Sequence, residues 1–313
     1  MLYRPPLWQW NGHLQTIYPS LFRKIDVSYQ RERLNLPDGD FVDLDWARTG
    51  QSRLVIITHG LEGDSTRHYV TGMVQAFQSI GYDAMGWNCR SCSGEINRLP
   101  RFYHHGDAGD LSQVIAYAAT QYDEIVLVGF SMGGSLTLRY LGEVPELVLT
   151  QVKRAIVASV PLDLPSSVRE LDKPGKRFYM RRFIKKLEKK IREKELMFPG
   201  HPILSTQDYH LIQNFEDFDN RYTAPLHGYA DCHDFYQKAS VKPLLKNIQV
   251  PSLIVQAAND PFLTPSCLDL GTLPSHSPVQ LVLSAQGGHV GFMQAHRTSS
   301  WVEDLAIAFQ TQN

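Results

Sequence analysis

Three side chains that can together activate a nucleophile are spread along the chain: Ser131, Asp260 and His289. A serine hydroxyl is a weak nucleophile at neutral pH, so it needs a base within hydrogen-bonding reach. Histidine can take the serine proton and return it to a leaving group, because its ordinary pKa is about 6.5. An aspartate on the other ring nitrogen fixes the tautomer and stabilises the imidazolium. We therefore predict nucleophilic catalysis with Ser131 as nucleophile, Asp260 as acid and His289 as base.

The serine stands in a Gly-x-Ser-x-Gly pattern that runs from Gly129 to Gly133. Residues 125–128 are four apolar residues, mostly β-branched, which indicate a strand buried on both faces. Residues 135–141 indicate a helix. A serine between such a strand and such a helix is typical of a nucleophile elbow, a sharp turn that presents Oγ away from the sheet.

Two backbone amides are predicted to stabilise negative charge on a substrate carbonyl oxygen. Met132 N–H lies at the start of the helix, where amide groups point at anions. Leu61 N–H belongs to the glycine-rich loop 59–63, which follows the predicted strand 54–58. Glycine in that loop allows the backbone to approach a bound carbonyl closely. We predict an oxyanion hole made by Leu61 and Met132.

The choice of base and acid follows from position in the chain, which holds 12 histidines. His289 follows the last predicted strand, 279–283, in a glycine-rich loop that can turn the ring towards the elbow. Asp260 begins the loop after the strand 252–257, and Asp163 is the alternative acid because it follows the preceding core strand. His59 is interpreted as an organiser of its own loop. Five further histidines have no comparable context: His13, His104, His105, His227 and His233.

Composition excludes several classes of protein. The chain has 313 residues, is 43% hydrophobic and 20% charged, and carries a net charge of −1, which is ordinary for a folded globular protein. Charge so near zero gives no reason to expect nucleic acid as a partner. No secretory signal is visible, and no apolar run approaches the roughly 18 residues of a membrane span. We expect a cytoplasmic protein.

Cysteines and metal-ligand patterns predict neither a redox centre nor a metal site. The four cysteines, Cys89, Cys92, Cys232 and Cys267, are too few for a disulfide framework. Cys89 and Cys92 form a lone Cys-x-x-Cys, which we interpret as two thiols in a loop rather than a zinc or redox motif. The chain has no His-Glu-x-x-His pattern. We expect no metal and no organic cofactor.

Short strands alternate with helical segments from residue 54 onward, which predicts a mostly parallel sheet with helices on both faces. Before it, segments 24–33 and 40–47 flank a Pro-Asp-Gly turn and indicate an antiparallel hairpin at the sheet edge. The strand and helix alternation stops at residue 162 and resumes at 243. We predict an α/β core of residues 1–161 and 243–313, with 1–23 as an N-terminal arm and 162–242 as a helical cap.

The predicted cap and the N-terminal arm each contain a pattern that predicts which residues face inward. Within the cap, Phe183, Leu187 and Ile191 fall four apart, so one apolar stripe should face inward while lysines and arginines cover the rest. That basic face is interpreted as solvated, with contact to anionic lipid headgroups as the alternative. In the arm, residues 7–23 show no clean helical period, and Trp8 and Trp10 are expected to anchor it.

Motifs along nearly the whole chain resemble the YheT-like branch of the α/β-hydrolase superfamily. The matching segments are Asn11-Gly12-His13-Leu14-Gln15-Thr16, His59-Gly60-Leu61-Glu62-Gly63, Arg90-Ser91-Cys92-Ser93-Gly94-Glu95, Gly129-Phe130-Ser131-Met132-Gly133-Gly134, His227-Gly228-Tyr229-Ala230-Asp231, Asn259-Asp260-Pro261-Phe262 and Gly287-Gly288-His289-Val290-Gly291-Phe292. Gly12 departs from the family, which often has proline or another residue there, and this departure is expected to concern the arm rather than the chemistry.

The resemblance implies a cofactor-free carboxylic ester hydrolase, related to esterases and synthases of medium-chain fatty acyl esters and to acylglycerol lipases. It carries over Ser131 as nucleophile, Asp260 as acid and His289 as base. Its implied partner is a small-molecule acyl ester.

Two other functions remain open at this point. An acyltransferase would use the same acyl-enzyme but deliver the acyl group to an alcohol, and His105 and Asp110 match the short His-x4-Asp spacing of some acyltransferases. A non-catalytic binding module would keep the fold without the reaction. The leading hypothesis is a serine esterase acting on short- to medium-chain acyl esters.

Overall fold

The computed structural model describes residues 3–311 and, within them, one sheet of eight strands. The strands are β1 (Gln30–Asn35), β2 (Phe41–Ala47), β3 (Arg53–Thr58), β4 (Asp83–Asn88), β5 (Glu124–Phe130), β6 (Val152–Ala158), β7 (Ser252–Ala257) and β8 (Val279–Ser284). Their spatial order is β1-β2-β4-β3-β5-β6-β7-β8. From β4 to β8 every neighbouring pair is parallel, as the alternation of strands and helices predicts.

The hairpin of β1 and β2 is antiparallel and occupies one sheet edge, which confirms the prediction from the Pro-Asp-Gly turn. Leu36 N–H donates to Asp40 O at 2.8 Å, and Gly39 adopts a φ of +87° between them. Glycine occupies that left-handed conformation without steric cost, so the chain reverses within a few residues.

Ten α-helices are found in the described residues. They are α1 (Gly12–Phe22), α2 (His68–Gln78), α3 (Gly109–Ala119), α4 (Met132–Gly142), α5 (Leu164–Leu171), α6 (Arg177–Met197), α7 (Phe215–Phe218), α8 (Ala224–His227), α9 (Cys232–Ala239) and α10 (Trp301–Thr311). None of the helices in residues 3–311 is long and apolar enough to cross a membrane.

Two clusters of buried side chains cover the two sheet faces. Along β5, Ile125 and Leu127 pack in one cluster with residues of α3 and α4, while Val126 and Val128 pack in the other with residues of α2 and α10. Successive strand residues point to opposite faces, so a run of apolar residues supplies both clusters. The predicted α/β fold class with helices on both faces is confirmed.

Residues 162–242 contain helices and no strand in the structure, and most of their buried apolar side chains form a third cluster that also includes Phe262. The stripe predicted on α6 is wider than expected, because Met180 and Ile184 are buried as well as Ile191. The expectation that lysines and arginines of this helix cover its outward surface is wrong for Lys190, whose side chain is 13% exposed. Lys194 is fully buried, and its ammonium group donates to the carbonyl oxygens of Asn97 and Leu99.

The N-terminal arm contains α1, a helix that the sequence pattern did not predict. Its buried face carries Gly12, Gln15, Thr16 and Pro19 instead of large apolar residues, so no hydrophobic period is visible. The expectation that the tryptophans anchor the arm is wrong, since the exposed fractions of Trp8 and Trp10 are 48% and 74%. Hydrogen bonds to Gln15 and Thr16 join the arm to the loop 287–289, and the Tyr3 ring packs on Phe292.

Candidate active site

Ser131 lies in a strained turn between β5 and α4. Its backbone has φ +55° and ψ −120°, outside the regions that side chains other than glycine usually adopt. A Cβ on Gly133 would lie 2.3 Å from Thr58 O, and one on Gly129 would lie 2.5 Å from Gly133 O. Only glycine fits at these two positions, so they allow the helix to begin directly against the sheet.

The structure brings the three predicted residues together. Ser131 Oγ lies 2.9 Å from His289 Nε2, and His289 Nδ1 lies 2.9 Å from Asp260 Oδ2 and 3.1 Å from Oδ1. An ionised Asp260 carboxylate accepts hydrogen bonds and donates none, so His289 Nδ1 must carry the proton in their bond. The neutral ring then presents an unprotonated Nε2 to the serine hydroxyl. Asp260 and His289 are both buried. The arrangement can move a proton from Ser131 to His289 while Asp260 holds the ring.

Asp260 and the imidazole are fixed by their neighbours. Phe262 N–H donates to Asp260 Oδ1 at 2.8 Å, and the Phe262 ring stacks on the His289 ring with centroids 4.0 Å apart. The alternative acid, Asp163, lies elsewhere, where it accepts a hydrogen bond from Ser266 Oγ at 2.6 Å and one from Ser166 N–H at the start of α5. Asp260 is therefore the carboxylate next to the histidine.

The loop that carries His289 is held by α1, a role that the sequence reasoning missed. Thr16 Oγ1 accepts from His289 N–H at 2.8 Å, and Gln15 Oε1 accepts from Gly287 N–H at 2.8 Å. A Cβ on Gly12 would lie 2.0 Å from Asn259 O, so Gly12 packs directly beside Asp260. The expectation that Gly12 concerns only the arm is wrong. The available signal was the Asn-Gly-His-Leu-Gln-Thr motif, whose polar residues had no assigned role.

The two predicted oxyanion amides flank the serine and have no acceptor of their own. Within residues 3–311, neither Leu61 N–H nor Met132 N–H donates a hydrogen bond. The backbones approach closely, since a Cβ on Gly60 would lie 3.2 Å from Ser131 Cβ. The oxyanion hole made by these two amides stays a prediction, and the absence of an acceptor for either one in residues 3–311 is compatible with it.

Glu62 anchors the loop that carries Leu61. It adopts a φ of +55°, an unusual conformation for a residue with a side chain. Its carboxylate accepts from Tyr103 OH at 2.6 Å and from Lys190 Nζ at 2.6 Å, and its N–H donates to Tyr103 OH at 2.9 Å. Lys190 lies on α6, so an ion pair joins the helical segment to this loop.

Comparisons with known proteins agree with this geometry. The family model for the alpha/beta hydrolase fold matches residues 53–295, which span the elbow, Asp260 and His289. The chain belongs to the α/β-hydrolase family. It is 34% identical over 291 residues to the Escherichia coli (strain K12) protein named "Putative esterase YheT", covering 90% of this chain and 84% of that protein. It is 28% identical to human "Phospholipase ABHD3", covering 93% of this chain and 74% of that one.

Solved structures support the same fold. The Pyrococcus furiosus esterase Pf2001 superposes with a TM-score of 0.60 at 15% sequence identity, covering 99% of this chain and 96% of that one. The resemblance to YheT-like α/β-hydrolases is confirmed, and the family makes this chain an esterase- or lipase-type enzyme.

A cavity of about 380 Å³ opens above Ser131 in this α/β-hydrolase. Ser131 and His289 line it from the core, and α6 lines it from the helical segment. Most of its wall is apolar, and the large apolar side chains include Ile17, Leu21, Phe102, Leu164, Val168, Leu171, Phe183, Leu187, Phe215, Phe218 and Phe262. Such a wall suits the hydrocarbon part of an ester substrate.

Among the histidines of residues 3–311, His289 is the one that hydrogen-bonds to Ser131 Oγ in this α/β-hydrolase. His59 Nδ1–H donates to Gly60 O at 2.7 Å and its Nε2 accepts from Cys89 N–H, which agrees with its interpretation as a loop organiser. His105 and His227 line the cavity, and burial lowers the pKa of each to about 4. Asp110 accepts two hydrogen bonds from Arg90, both at 2.7 Å, and has none from His105.

The four cysteines, Cys89, Cys92, Cys232 and Cys267, are free thiols in the structure. Cys92 Sγ lies 3.3 Å from Lys190 Nζ, while Cys89 is buried in the core and burial raises its pKa. Among residues 3–311, no group of three or more histidine, cysteine, aspartate or glutamate side chains could hold a metal ion.

Proposed function

We propose that this α/β-hydrolase is a serine carboxylic ester hydrolase that acts through an acyl-enzyme on short- to medium-chain acyl esters. One observation carries the proposal: Ser131 Oγ, His289 and Asp260 form a continuous hydrogen-bonded chain that opens onto an apolar cavity. The relatives named as esterase and phospholipase support the same reaction class.

The proposed reaction has two steps. Ser131 Oγ attacks the ester carbonyl carbon while its proton moves to His289 Nε2, and the carbonyl oxygen becomes an oxyanion held by Leu61 N–H and Met132 N–H. The intermediate collapses, and the alcohol leaves with the proton from His289. A water molecule then gives a proton to His289 and attacks the acyl-enzyme, which releases the carboxylic acid and restores Ser131.

We also propose that residues 162–242 act as a cap inserted into a core of residues 1–161 and 243–313. Helix α6 supports this proposal, because Phe183 and Leu187 line the cavity while the same helix contacts Glu62 through Lys190. The cap would then limit the length of the acyl chain above Ser131.

Hydrolysis of a chain-length series of p-nitrophenyl esters tests this function. We expect wild-type activity to pass through a maximum at short to medium chains and to fall by several orders of magnitude in Ser131→Ala. A fluorophosphonate probe should label the wild type and not the variant. Undiminished turnover by Ser131→Ala would contradict the acyl-enzyme, and a wild type that does not react with the probe would favour the binding-module hypothesis.

Acyl transfer to an alcohol is the alternative fate of the same acyl-enzyme. The His105 and Asp110 spacing gives it no support, because Asp110 is paired with Arg90. Product analysis with increasing ethanol separates the two reactions. A ratio of ethyl ester to free acid that stays constant as ethanol rises would argue against transfer.

For the basic helix α6 we propose a solvated outer face rather than contact with lipid headgroups. Lys186, Lys190 and Lys194 all contact the core or its loops, which removes three cations from the outward surface. We expect equal binding of the intact protein to anionic and neutral vesicles in a flotation assay. Selective binding to anionic vesicles that is lost on substituting Lys185 and Lys189 would contradict the proposal.

A further inference from the structure

Three cationic side chains line the same cavity as Ser131 and have no carboxylate partner. They are Arg67, just before α2, and Arg182 and Lys186 on α6. Within residues 3–311, none of the three forms an ion pair. Lys186 Nζ and Arg67 Nη2 donate instead to the neutral carbonyl oxygen of Glu62, at 2.8 Å and 3.1 Å. We name these three residues the cation cluster.

The acidic side chains of the cavity wall do not neutralise this cluster. Among the described lining residues the acids are Glu62 and Asp219. The Glu62 carboxylate is paired with Lys190, and Asp219 accepts from Tyr236 OH at 2.7 Å. Burial also raises the pKa of Asp219 to about 6. One wall of the cavity therefore carries an excess of positive charge.

The three positive charges of the cluster repel one another, and no carboxylate of the described chain forms an ion pair with them. Burial lowers the pKa of Lys186, and the charges of Arg67 and Arg182 lower it further, although the Glu62 carboxylate opposes them in part. Like charges brought together raise the free energy of the charged forms, and an anion between them would remove that cost. Guanidinium and ammonium groups are the side chains that bind carboxylate and phosphate oxygens most effectively.

We propose that the cation cluster binds an anionic group, a carboxylate or a phosphate, on the ester substrate while the ester carbonyl lies at Ser131. This inference rests on the proposed ester hydrolase function and narrows its substrate class to esters with a negative charge. The cluster lies beside the oxyanion loop, because two of its members bond to Glu62, the residue that follows Leu61. Ser131 and the cluster line one cavity, so a substrate in that cavity can contact both.

Two matched pairs of substrates test the proposal and distinguish where the charge lies. In the first pair, the p-nitrophenyl half-ester of adipic acid carries a carboxylate on the acyl part and p-nitrophenyl hexanoate does not. In the second pair, hexanoylglycerol phosphate carries a phosphate on the alcohol part and monohexanoylglycerol does not. We expect kcat/KM to favour the anionic member of at least one pair, and that pair identifies the source of the anion.

The variant Arg182→Gln removes one positive charge of the cluster without breaking a hydrogen bond, because the Arg182 side chain makes none within the described chain. We expect it to lower kcat/KM for the preferred anionic ester by about tenfold, through KM, with less than a twofold change for the neutral partner. Lys189→Gln is the matched control, since Lys189 lies on the same helix with an 81% exposed side chain. Equal effects of the two substitutions, or no preference for either anionic ester, would overturn the proposal.

A binding measurement keeps the inference separate from the proposed reaction. Calorimetric titration of Ser131→Ala with adipate half-ester, hexanoylglycerol phosphate and monohexanoylglycerol does not depend on turnover. We expect tighter binding of an anionic ligand, and loss of that preference in Ser131→Ala/Arg182→Gln. Equal binding of charged and neutral ligands would overturn the proposal that the cation cluster binds an anionic group. Hydrolysis that persists in Ser131→Ala would overturn the proposed function alone.

Discussion

The ion pair between Lys190 and Glu62 offers the sharpest test of how the helical segment supports the active site. The two side chains are 13% and 5% exposed, and Lys190 Nζ lies 2.6 Å from Glu62 Oε1. Lys190→Met would leave the Glu62 carboxylate buried, and Tyr103 OH would be the side-chain donor that remains to it within residues 3–311. Breaking a buried pair by removing one partner costs about 3–5 kcal/mol, because the remaining charge has lost both water and its partner.

We expect Lys190→Met to lower the free energy of unfolding by about 3 kcal/mol, the lower end of that range, since the pair retains slight exposure. Urea-induced unfolding measures the change. The double variant Lys190→Met/Glu62→Gln removes the uncompensated charge, while the oxygen of the new side-chain amide can still accept from Tyr103 OH, so it should recover at least half of the loss. Lys189→Met, an exposed neighbour, should change stability by less than about 0.5 kcal/mol.

Two results would refute this reasoning. If Lys190→Met lies within about 1 kcal/mol of the wild type, the pair does not behave as a buried ion pair. If the double variant is no more stable than the single variant, the loss comes from the packing of the Lys190 side chain rather than from the charge left on Glu62.

Three further outcomes are expected. Asp260→Asn should lower kcat by about 10³–10⁴-fold in the p-nitrophenyl ester assay without changing the melting temperature much, because the ring loses its ionised partner; an effect below tenfold would contradict the assignment. Gly133→Ala should prevent stable folding, as judged by circular dichroism, since its Cβ would lie 2.3 Å from Thr58 O, whereas Gly175→Ala, with open space around it, should be neutral. Asp219→Asn should match the wild type in stability below about pH 4 and exceed it by up to about 3 kcal/mol at pH 8. The pKa of this carboxyl is 3.8 as the ordinary value and about 6 in the folded state, so the wild type loses stability as the pH rises from the first value through the second. Parallel stability curves across that pH range would contradict the last expectation.

The strands and the elbow could be predicted because their signals are local. The predicted strands 83–88 and 252–257 match β4 and β7, and the Pro-Asp-Gly turn lies between β1 and β2. Apolar runs, turn residues and glycine positions depend on neighbours a few residues away. The same holds for the order of Ser131, Asp260 and His289, which follow β5, β7 and β8.

Helix α1 could not be predicted, because its inward face is polar. Gln15 and Thr16 are buried only because loop amides more than 240 residues later in the chain donate to them. A pattern search that expects apolar residues on the buried face therefore misses this helix. The cytoplasmic location and the boundaries of the cap stay predictions from the sequence.

The inward-facing lysines of α6 could not be predicted for a related reason. Lysines four apart on a helix usually face water, and their partners here, Glu62 and the carbonyl oxygens near residue 98, lie about 90 to 130 positions earlier in the chain. Pairing over such a distance leaves no local trace in composition or spacing. The cation cluster could not be predicted from the sequence either, because only the fold brings Arg67 and α6 to the same cavity.

The sequence by itself determined the α/β architecture and the three residues at the strand ends, because parallel strands bring their carboxyl ends to one edge whatever the loops do. Only the tertiary structure decided that Ser131 Oγ lies 2.9 Å from His289 Nε2, that α1 holds the His289 loop, and that three lysines of α6 turn inward. The physical reason is the range of the interactions. Backbone propensity and hydrophobic period act between neighbours in the chain, whereas hydrogen bonds and ion pairs act between any groups that the completed fold brings together.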